Sequence, residues 1–299
     1  MTSFPFLLVD AFADRALNGN PCAVVLDADG LSDADMQRLA LEFNQSETAF
    51  VSGTKDRGFC FRFFTPAEEI PLAGHPTIAA VTALIHTGRL VPDGLSQAFS
   101  VTLKEGPIAI EVEPSRGAGA PHVIRMTQRK PLFGVVHDPA TVAPLFGLEP
   151  RDLVEGTPVQ TVSTGVPQLM MMVRDKESLR KAHPPRDEGY RSYRADSDFF
   201  SPHLFCLGGE TPEGATFARH FGVAPDIAED FATGSATGGM AAYLWRYGHL
   251  SSPEFVAQQG HWLGRPAAID VRIGGPREEI AFVQIGGAGV VAVEGNLRF

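Results

Sequence analysis

The feature that most constrains this chain is an internal repeat. The segment Gly74-His-Pro-Thr-Ile-Ala-Ala-Val-Thr-Ala-Leu-Ile-His-Thr-Gly88 lies over Gly234-Ser-Ala-Thr-Gly-Gly-Met-Ala-Ala-Tyr-Leu-Trp-Arg-Tyr-Gly248 without a gap. Thr77 meets Thr237, Leu84 meets Leu244, Gly88-Arg-Leu90 meets Gly248-His-Leu250, and upstream Glu69 meets Glu229, all at one offset. Each copy reads as a helix that starts at a glycine, is apolar around most of its circumference and stops at a C-terminal glycine. A helix apolar all round must be buried. Its surroundings are rich in short runs of β-branched and aromatic residues, so the repeat predicts two similar lobes, each a curled sheet around a central helix.

Those runs are Phe6 to Phe12, Cys22 to Leu26, Glu47 to Ser52, Gly58 to Phe64, Ser100 to Leu103 and Ile108 to Glu113 in the first half. In the second they are Val123 to Met126, Val159 to Val162, Leu169 to Val173, His203 to Leu207, Ala268 to Ile273, Ala281 to Ile285 and Val290 to Val293. Between the first strands, Ser32 caps a helix with Asp35 at the capping-box position. Met36, Leu39, Ala40 and Phe43 share one face, and the helix ends near Asn44. The Gly- and Ala-rich stretch from Pro114 to Pro121 reads as a connection between lobes. The division expected is 1–118 for the first lobe and 119–280 for the second, with 281–299 able to join the first. The glycines of Ile285-Gly-Gly-Ala-Gly-Val290 precede a strand rather than a helix and read as a turn or bulge.

Composition narrows the function. The 299 residues are 44% hydrophobic and 20% charged, the balance of a folded globular protein. The net charge is −10 and the basic residues are scattered, which argues against nucleic acid and anionic membranes and for a small-molecule partner. The N-terminal stretch has no basic n-region and only a short apolar run, and no stretch is long enough to span a bilayer, so a soluble, cytoplasmic protein is expected. Cys22, Cys60 and Cys206 are far apart without C-x-x-C pairing and read as small hydrophobes rather than a disulfide, redox or metal set. Metal-binding, Walker, G-x-S-x-G and dinucleotide motifs are lacking, so neither metal nor organic cofactor is expected.

The helix starts carry the chemistry. A helix N-terminus concentrates N–H groups and positive partial charge, so two such ends facing each other across a cleft are expected to grip a carboxylate. His75 stands at the first start, Asp230 just before the second and Ser235 within it. Glu47 opens a strand after Gln45-Ser46, where burial raises a carboxyl pKa towards the range of proton transfer. Singly, such residues are ordinarily solvated, capping or packed; their joint placement on duplicated helix starts points to a site.

Several of these stretches together resemble the phenazine-biosynthesis isomerase family, PhzF. They are Val9-Asp-Ala-Phe12 with Gly19-Asn-Pro21, Glu42-Phe-Asn-Gln-Ser-Glu-Thr-Ala-Phe-Val51, Arg62-Phe-Phe-Thr-Pro66 with Pro71-Leu-Ala-Gly-His-Pro-Thr77, Glu229-Asp-Phe-Ala-Thr-Gly-Ser-Ala236, and Gln259-Gly260 with Gly264-Arg-Pro266. The resemblance runs nearly end to end. It implies an α+β, diaminopimelate-epimerase-like fold of two pseudo-symmetric lobes, each a barrel-like, mostly antiparallel sheet around one helix, and a homodimer. It also implies Glu47 as acid/base, with His75, Asp230 and Ser235 holding the substrate and relaying protons. Gly74, Gly234 and Asn20 are then substrate contacts, the glycines through backbone donors. The reaction implied is a proton shift on a small cyclic carboxylate such as trans-2,3-dihydro-3-hydroxyanthranilate. The alternatives are a lyase or racemase on an amino or hydroxy acid and a non-catalytic binder of small anions. Related two-base epimerases carry a cysteine before each paired glycine; here Ala73 and Thr233 stand there, which disfavours thiol racemisation. The chain departs from the family pattern at Phe231, where proline is usual, and in Ala-Thr-Gly-Gly after Ser235, where the usual final proline is Gly239. Neither change removes a catalytic group, and both bear on pocket shape.

Overall fold

In the computed structural model, residues 3–54, 58–104, 106–115, 117, 120–185, 187–222 and 228–298 are described. The chain divides into two compact units, one of residues 1–127 with 286–299 and the other of residues 128–285.

The first unit begins with β1 (Ser3–Ala11) and β2 (Asn20–Val25), then α1 (Asp33–Phe43), β3 (Thr48–Thr54), β4 (Gly58–Phe64) and the two-residue β5 (Glu69–Ile70). The buried helix α2 (Gly74–His86) follows, and β6 (Gln97–Leu103), β7 (Gly106–Glu113) and β8 (Val123–Thr127) complete the run. The segment 114–121, of which residues 116, 118 and 119 lie outside the described residues, joins β7 to β8. Pairing is antiparallel except for β2 with β3 and β4 with β6. The free edge of β1 takes the last strand of the chain, β18 (Gly289–Arg298), antiparallel. Strands β1, β2, β3, β4, β8 and β18 all touch α2. Its residues Ile78, Ala79, Ala80, Val81, Ala83 and Leu84 are fully buried, as an apolar circumference requires. Each of the larger ones contributes about 1.5–3 kcal/mol of transfer free energy. Gly289, which opens β18, lies against Thr82, and a side chain there would overlap the Thr82 side chain, so close approach to α2 accounts for that glycine. The outer face of the sheet is covered by α1, whose Met36, Leu39 and Ala40 pack on Val25, Phe50 and Phe64. Ser32 caps it by accepting from Asp35 N, and Asn44 ends it in the left-handed region.

The second unit contains β9 (Leu132–His137), the short α3 (Pro139–Val142), β10 (Val159–Ser163), β11 (Pro167–Met172), α4 (Lys176–Lys181), α5 (Glu188–Ala195), β12 (Ser201–Leu207) and β13 (Gly214–Phe221). The two-residue β14 (Glu229–Asp230) leads into α6 (Gly234–Arg246), followed by β15 (Glu254–Gln259), β16 (Ala267–Gly274) and β17 (Phe282–Gly287). Here β9 with β10, β10 with β11, β12 with β13, β13 with β14 and β15 with β16 pair antiparallel, and β11 with β12 and β13 with β15 pair parallel. These occupy the same ordinal places as the parallel pairs of the first unit. The duplication therefore extends from the helices to the order and sense of the strands. Residues from Ala236 to Leu244 of α6 are buried, packed on β10, β11 and β16. The outer face of this sheet carries a separate core in which Phe146, Leu179 and Tyr190 cover Leu204, Phe217 and Phe221. Among the described residues no helix is long and apolar enough to cross a membrane.

Candidate active site

In the first unit three elements bring their ends together. The crossover through α1 returns the chain parallel to β2, so Glu47 precedes β3 close to the start of β2, where Asn20 stands. The helix α2 begins at Gly74 and presents His75 on its first turn. Nε2 of His75 lies 3.3 Å from Oε2 of Glu47, a close contact between a ring 6% exposed and a carboxylate 24% exposed. Nδ1 of His75 lies 3.4 Å from Nδ2 of Asn20. An amide nitrogen can only donate, so Nδ1 accepts and the neutral ring carries its proton on Nε2, facing Glu47. The carboxylate also faces inward: burial pushes the Cys22 thiol well up, and the charge of Glu47 adds to that rise. The residue before Gly74, Ala73, places no side-chain cap on the helix amides.

In the second unit the start of α6 is held by polar side chains. Asp230 accepts from Thr233 Oγ1 at 2.6 Å, and Gln259 Nε2 donates to Thr233 Oγ1 and to the Asp230 carbonyl. Gln168 Nε2 donates to Ser235 Oγ at 3.0 Å, Thr164 donates to the Ser235 carbonyl, and Gln128 Nε2 donates to the Gly234 carbonyl at 3.0 Å. Gly238 is needed here, because a side chain at that position would run into Gln128. Gly238 keeps the glycine of the usual pattern, and the departure beside it, Gly239, lies against Met170, whose methyl a side chain there would overlap. Phe231, the other departure, lies under the Arg265 guanidinium, 5.4 Å from the ring centre and within the roughly 6 Å reach of a cation–π contact.

The two units match residue by residue around a common ion pair. Arg62 on β4 donates through Nε to Glu69 at 2.8 Å, and Arg219 on β13 donates through Nε to Glu229 at 2.8 Å. The Arg62 hydrogen bond holds the Glu69 carboxyl below its ordinary range. From this anchor the strand registers make Phe63 the counterpart of His220, Ala49 of His203, Glu47 of Ser201, and Ile70 of Asp230. His75 and Ser235 correspond as second residues of their helices. The duplicates have therefore diverged in chemistry: one carries glutamate and histidine, the other aspartate and serine.

Of the residues singled out from sequence, the structure groups Asn20, Glu47, Gly74 and His75 in the first unit, and Asp230, Gly234 and Ser235 in the second. Sequence reasoning missed Gln128, Gln168 and Thr164. The available signal was a glutamine at an inward position of an otherwise apolar strand, as in Pro167-Gln-Leu-Met-Met-Met172.

A duplicated α+β chain, each unit a mostly antiparallel sheet around a buried helix with ionisable side chains at its start, defines the fold class. The chain belongs to the phenazine biosynthesis-like family (PhzC-PhzF), whose model matches residues 9–295. It is 31% identical to a trans-2,3-dihydro-3-hydroxyanthranilate isomerase of Pseudomonas fluorescens over 98% of each chain. It is 33% identical to an uncharacterized isomerase of Clostridium acetobutylicum, covering 97% of this chain and 96% of that one. The crystal structure of a PhzF-family phenazine biosynthesis protein from Bacillus anthracis superimposes with a TM-score of 0.88 over the whole of both chains, at 27% identity.

Proposed function

We propose that the protein is a PhzF-type isomerase that moves a proton on a small cyclic carboxylate without a cofactor, with Glu47 as the acid/base. The observation that carries this reading is the His75 contact with Glu47, made by a ring whose other nitrogen is occupied by Asn20. In this reading the Glu47 carboxylate takes a proton from one ring carbon of the substrate, and the resulting carboxylic acid returns it at another. His75 donates from Nε2 to the carboxylate and sets its basicity. The Gly74 amide contributes to holding the substrate carboxylate, as an uncapped helix start is suited to do. Asp230, Ser235 and the Gly234 amide are assigned to substrate binding and proton relay. The names of the relatives support isomerisation, and trans-2,3-dihydro-3-hydroxyanthranilate is the first substrate to try.

The test compares the wild type with Glu47→Gln on that compound in deuterated water, followed by absorbance and proton NMR. Loss of turnover by about 100-fold or more in a folded variant supports the assignment. Wild-type turnover by Glu47→Gln overturns it.

A further inference from the structure

The α6-facing surface of the second unit carries two histidines that this reading does not use. His203 on β12 and His220 on β13 are cross-strand partners, 0% and 6% exposed, with their Nδ1 atoms 3.3 Å apart. Their side chains point towards α6: Met170, beside His203 in register, packs on Gly239, and Phe205, two residues along, meets the Tyr243 ring. A contact between two Nδ1 atoms holds one proton, so one ring donates, the other accepts, and the two neutral rings are locked in opposite tautomers. Burial pushes His220 down to about 3 and His203 well below its ordinary value, which keeps both neutral. Nε2 of His203 has no hydrogen-bond partner among the described residues, and neither has Oγ of Ser201 on the same face.

The duplication supplies the comparison. At the same places in the first unit stand Ala49 and Phe63, cross-strand partners buried to a similar degree. An apolar pair satisfies the fold there, so packing alone does not call for two imidazoles and an unpaired buried nitrogen that weakens the native state. What changes together with the histidines is their neighbour. Across from His220 stands Asp230, where the first unit has Ile70 across from Phe63. Cross-strand partners share a face with their Cβ atoms about 5 Å apart.

We propose that His220, held in one tautomer by His203, is a positioning residue for Asp230, giving that part of the site a neutral hydrogen-bonding wall in place of an ion pair. The proposal rests on the assignment of Asp230 to the site. A cationic neighbour would lower the basicity of the Asp230 carboxylate, whereas a neutral imidazole leaves it more basic and better able to take up a proton. Beside the pair stand Met170 from β11, Ser201 and Phe205 on β12, and Gln259 at the end of the adjoining β15, none of which carries a charge at neutral pH, while β14 registers Asp230 directly against His220.

The test transfers the first unit's pair into the second as His203→Ala/His220→Phe, which nearly conserves side-chain volume. The expected variant folds with a Tm at or above that of the wild type. Its kcat on trans-2,3-dihydro-3-hydroxyanthranilate falls about tenfold or more while KM changes less than about threefold. His220→Asn, which keeps a hydrogen-bonding group, recovers part of the rate. An unchanged kcat, or a loss of activity that merely follows a loss of Tm, overturns the proposal. A second measurement does not depend on the substrate: NMR of the histidine nitrogens and of the Asp230 carboxyl carbon. Rings neutral from about pH 8 to about pH 4.5, and a titration midpoint of Asp230 that moves in the swap variant, support the pair. Rings that titrate near the ordinary histidine value, or an unmoved Asp230, overturn it. Should the wild type not turn over that compound, that choice of substrate falls, and the NMR result alone decides on the pair.

Discussion

Arg219 holds Glu229 in a two-pronged ion pair, Nε to Oε1 at 2.8 Å and Nη2 to Oε2 at 2.6 Å, with the side chains 14% and 12% exposed. The same guanidinium donates through Nη1 to the carbonyls of Leu179 and Ala182 and stacks over Phe221, 4.8 Å from the ring centre. It ties α4 and β14 to one strand, and Glu229 is the residue before Asp230. Removing it leaves a sheltered carboxylate and two carbonyls without their donor. Arg219→Ala is expected to lower unfolding free energy by about 3 kcal/mol in urea titrations. Arg219→Lys cannot form the fork and should recover less than half.

Gly238 and Gln128 give a second test, on the start of α6. Gly238→Ala forces the Gln128 side chain off the Gly234 carbonyl, at an expected cost of about 1–3 kcal/mol. Shortening the obstacle as well should restore much of that loss, so Gly238→Ala/Gln128→Ala is predicted to be more stable than the sum of the single changes allows. Thermal or urea unfolding of the four proteins in this cycle measures the coupling.

The central helices were legible because their signal is redundant: glycine at both ends, apolar residues all round and the same pattern twice. The α1 cap was legible because Ser32, Asp35 and Asn44 act locally, and the structure shows that contact. Besides the two-residue β5 and β14, three longer strands escaped notice. Leu132–His137 contains Gly134, which makes room for Asp198, a contact set by tertiary structure. Gly214–Phe221 carries Arg219 and His220, which read as surface residues until the pairing with Glu229 and His203 is seen. Glu254–Gln259 ends in two glutamines whose partners, Thr211 and Thr233, are far away in sequence. Polar residues inside a strand conceal it whenever their partners are remote. The same reason hid the glutamines around α6, whereas Glu47, His75, Asp230 and Ser235 stood out because they lie beside the repeat.

Acid should weaken the fold before carboxylates begin to titrate. An unfolded imidazole takes up a proton near pH 6.5, but folded His220 does so only at about 3, and His203 is lowered as well. Between those values the unfolded chain binds more protons, so stability falls as pH drops, by up to about 1.4 kcal/mol per pH unit for each ring. His137 and His249, also lowered by burial, act in the same direction. Glu69 adds its own loss only below the ordinary carboxylate range, since Arg62 holds it down. Urea titrations between about pH 6.5 and pH 5 should therefore show a clear slope, and His203→Ala/His220→Phe should flatten it, leaving the part due to His137 and His249.

Asn20 decides which nitrogen of His75 carries the proton, and this can be tested without altering either member of the Glu47 pair. Its Nδ2 can only donate to Nδ1, which leaves the Nε2 proton for the Glu47 carboxylate. In Asn20→Asp the introduced carboxylate accepts instead, so Nδ1 must be protonated too, and the ring sits between two carboxylates that favour the imidazolium. The His75 titration, followed by NMR, is expected to move to higher pH. A permanent imidazolium against Glu47 lowers the basicity of that carboxylate, so kcat should fall by about tenfold or more, with the acid limb of the rate profile displaced to lower pH. Asn20→Ala removes the donor without imposing a charge. It should therefore slow turnover less than Asn20→Asp does, an order that a purely steric role for Asn20 would reverse, since aspartate has nearly the shape of asparagine.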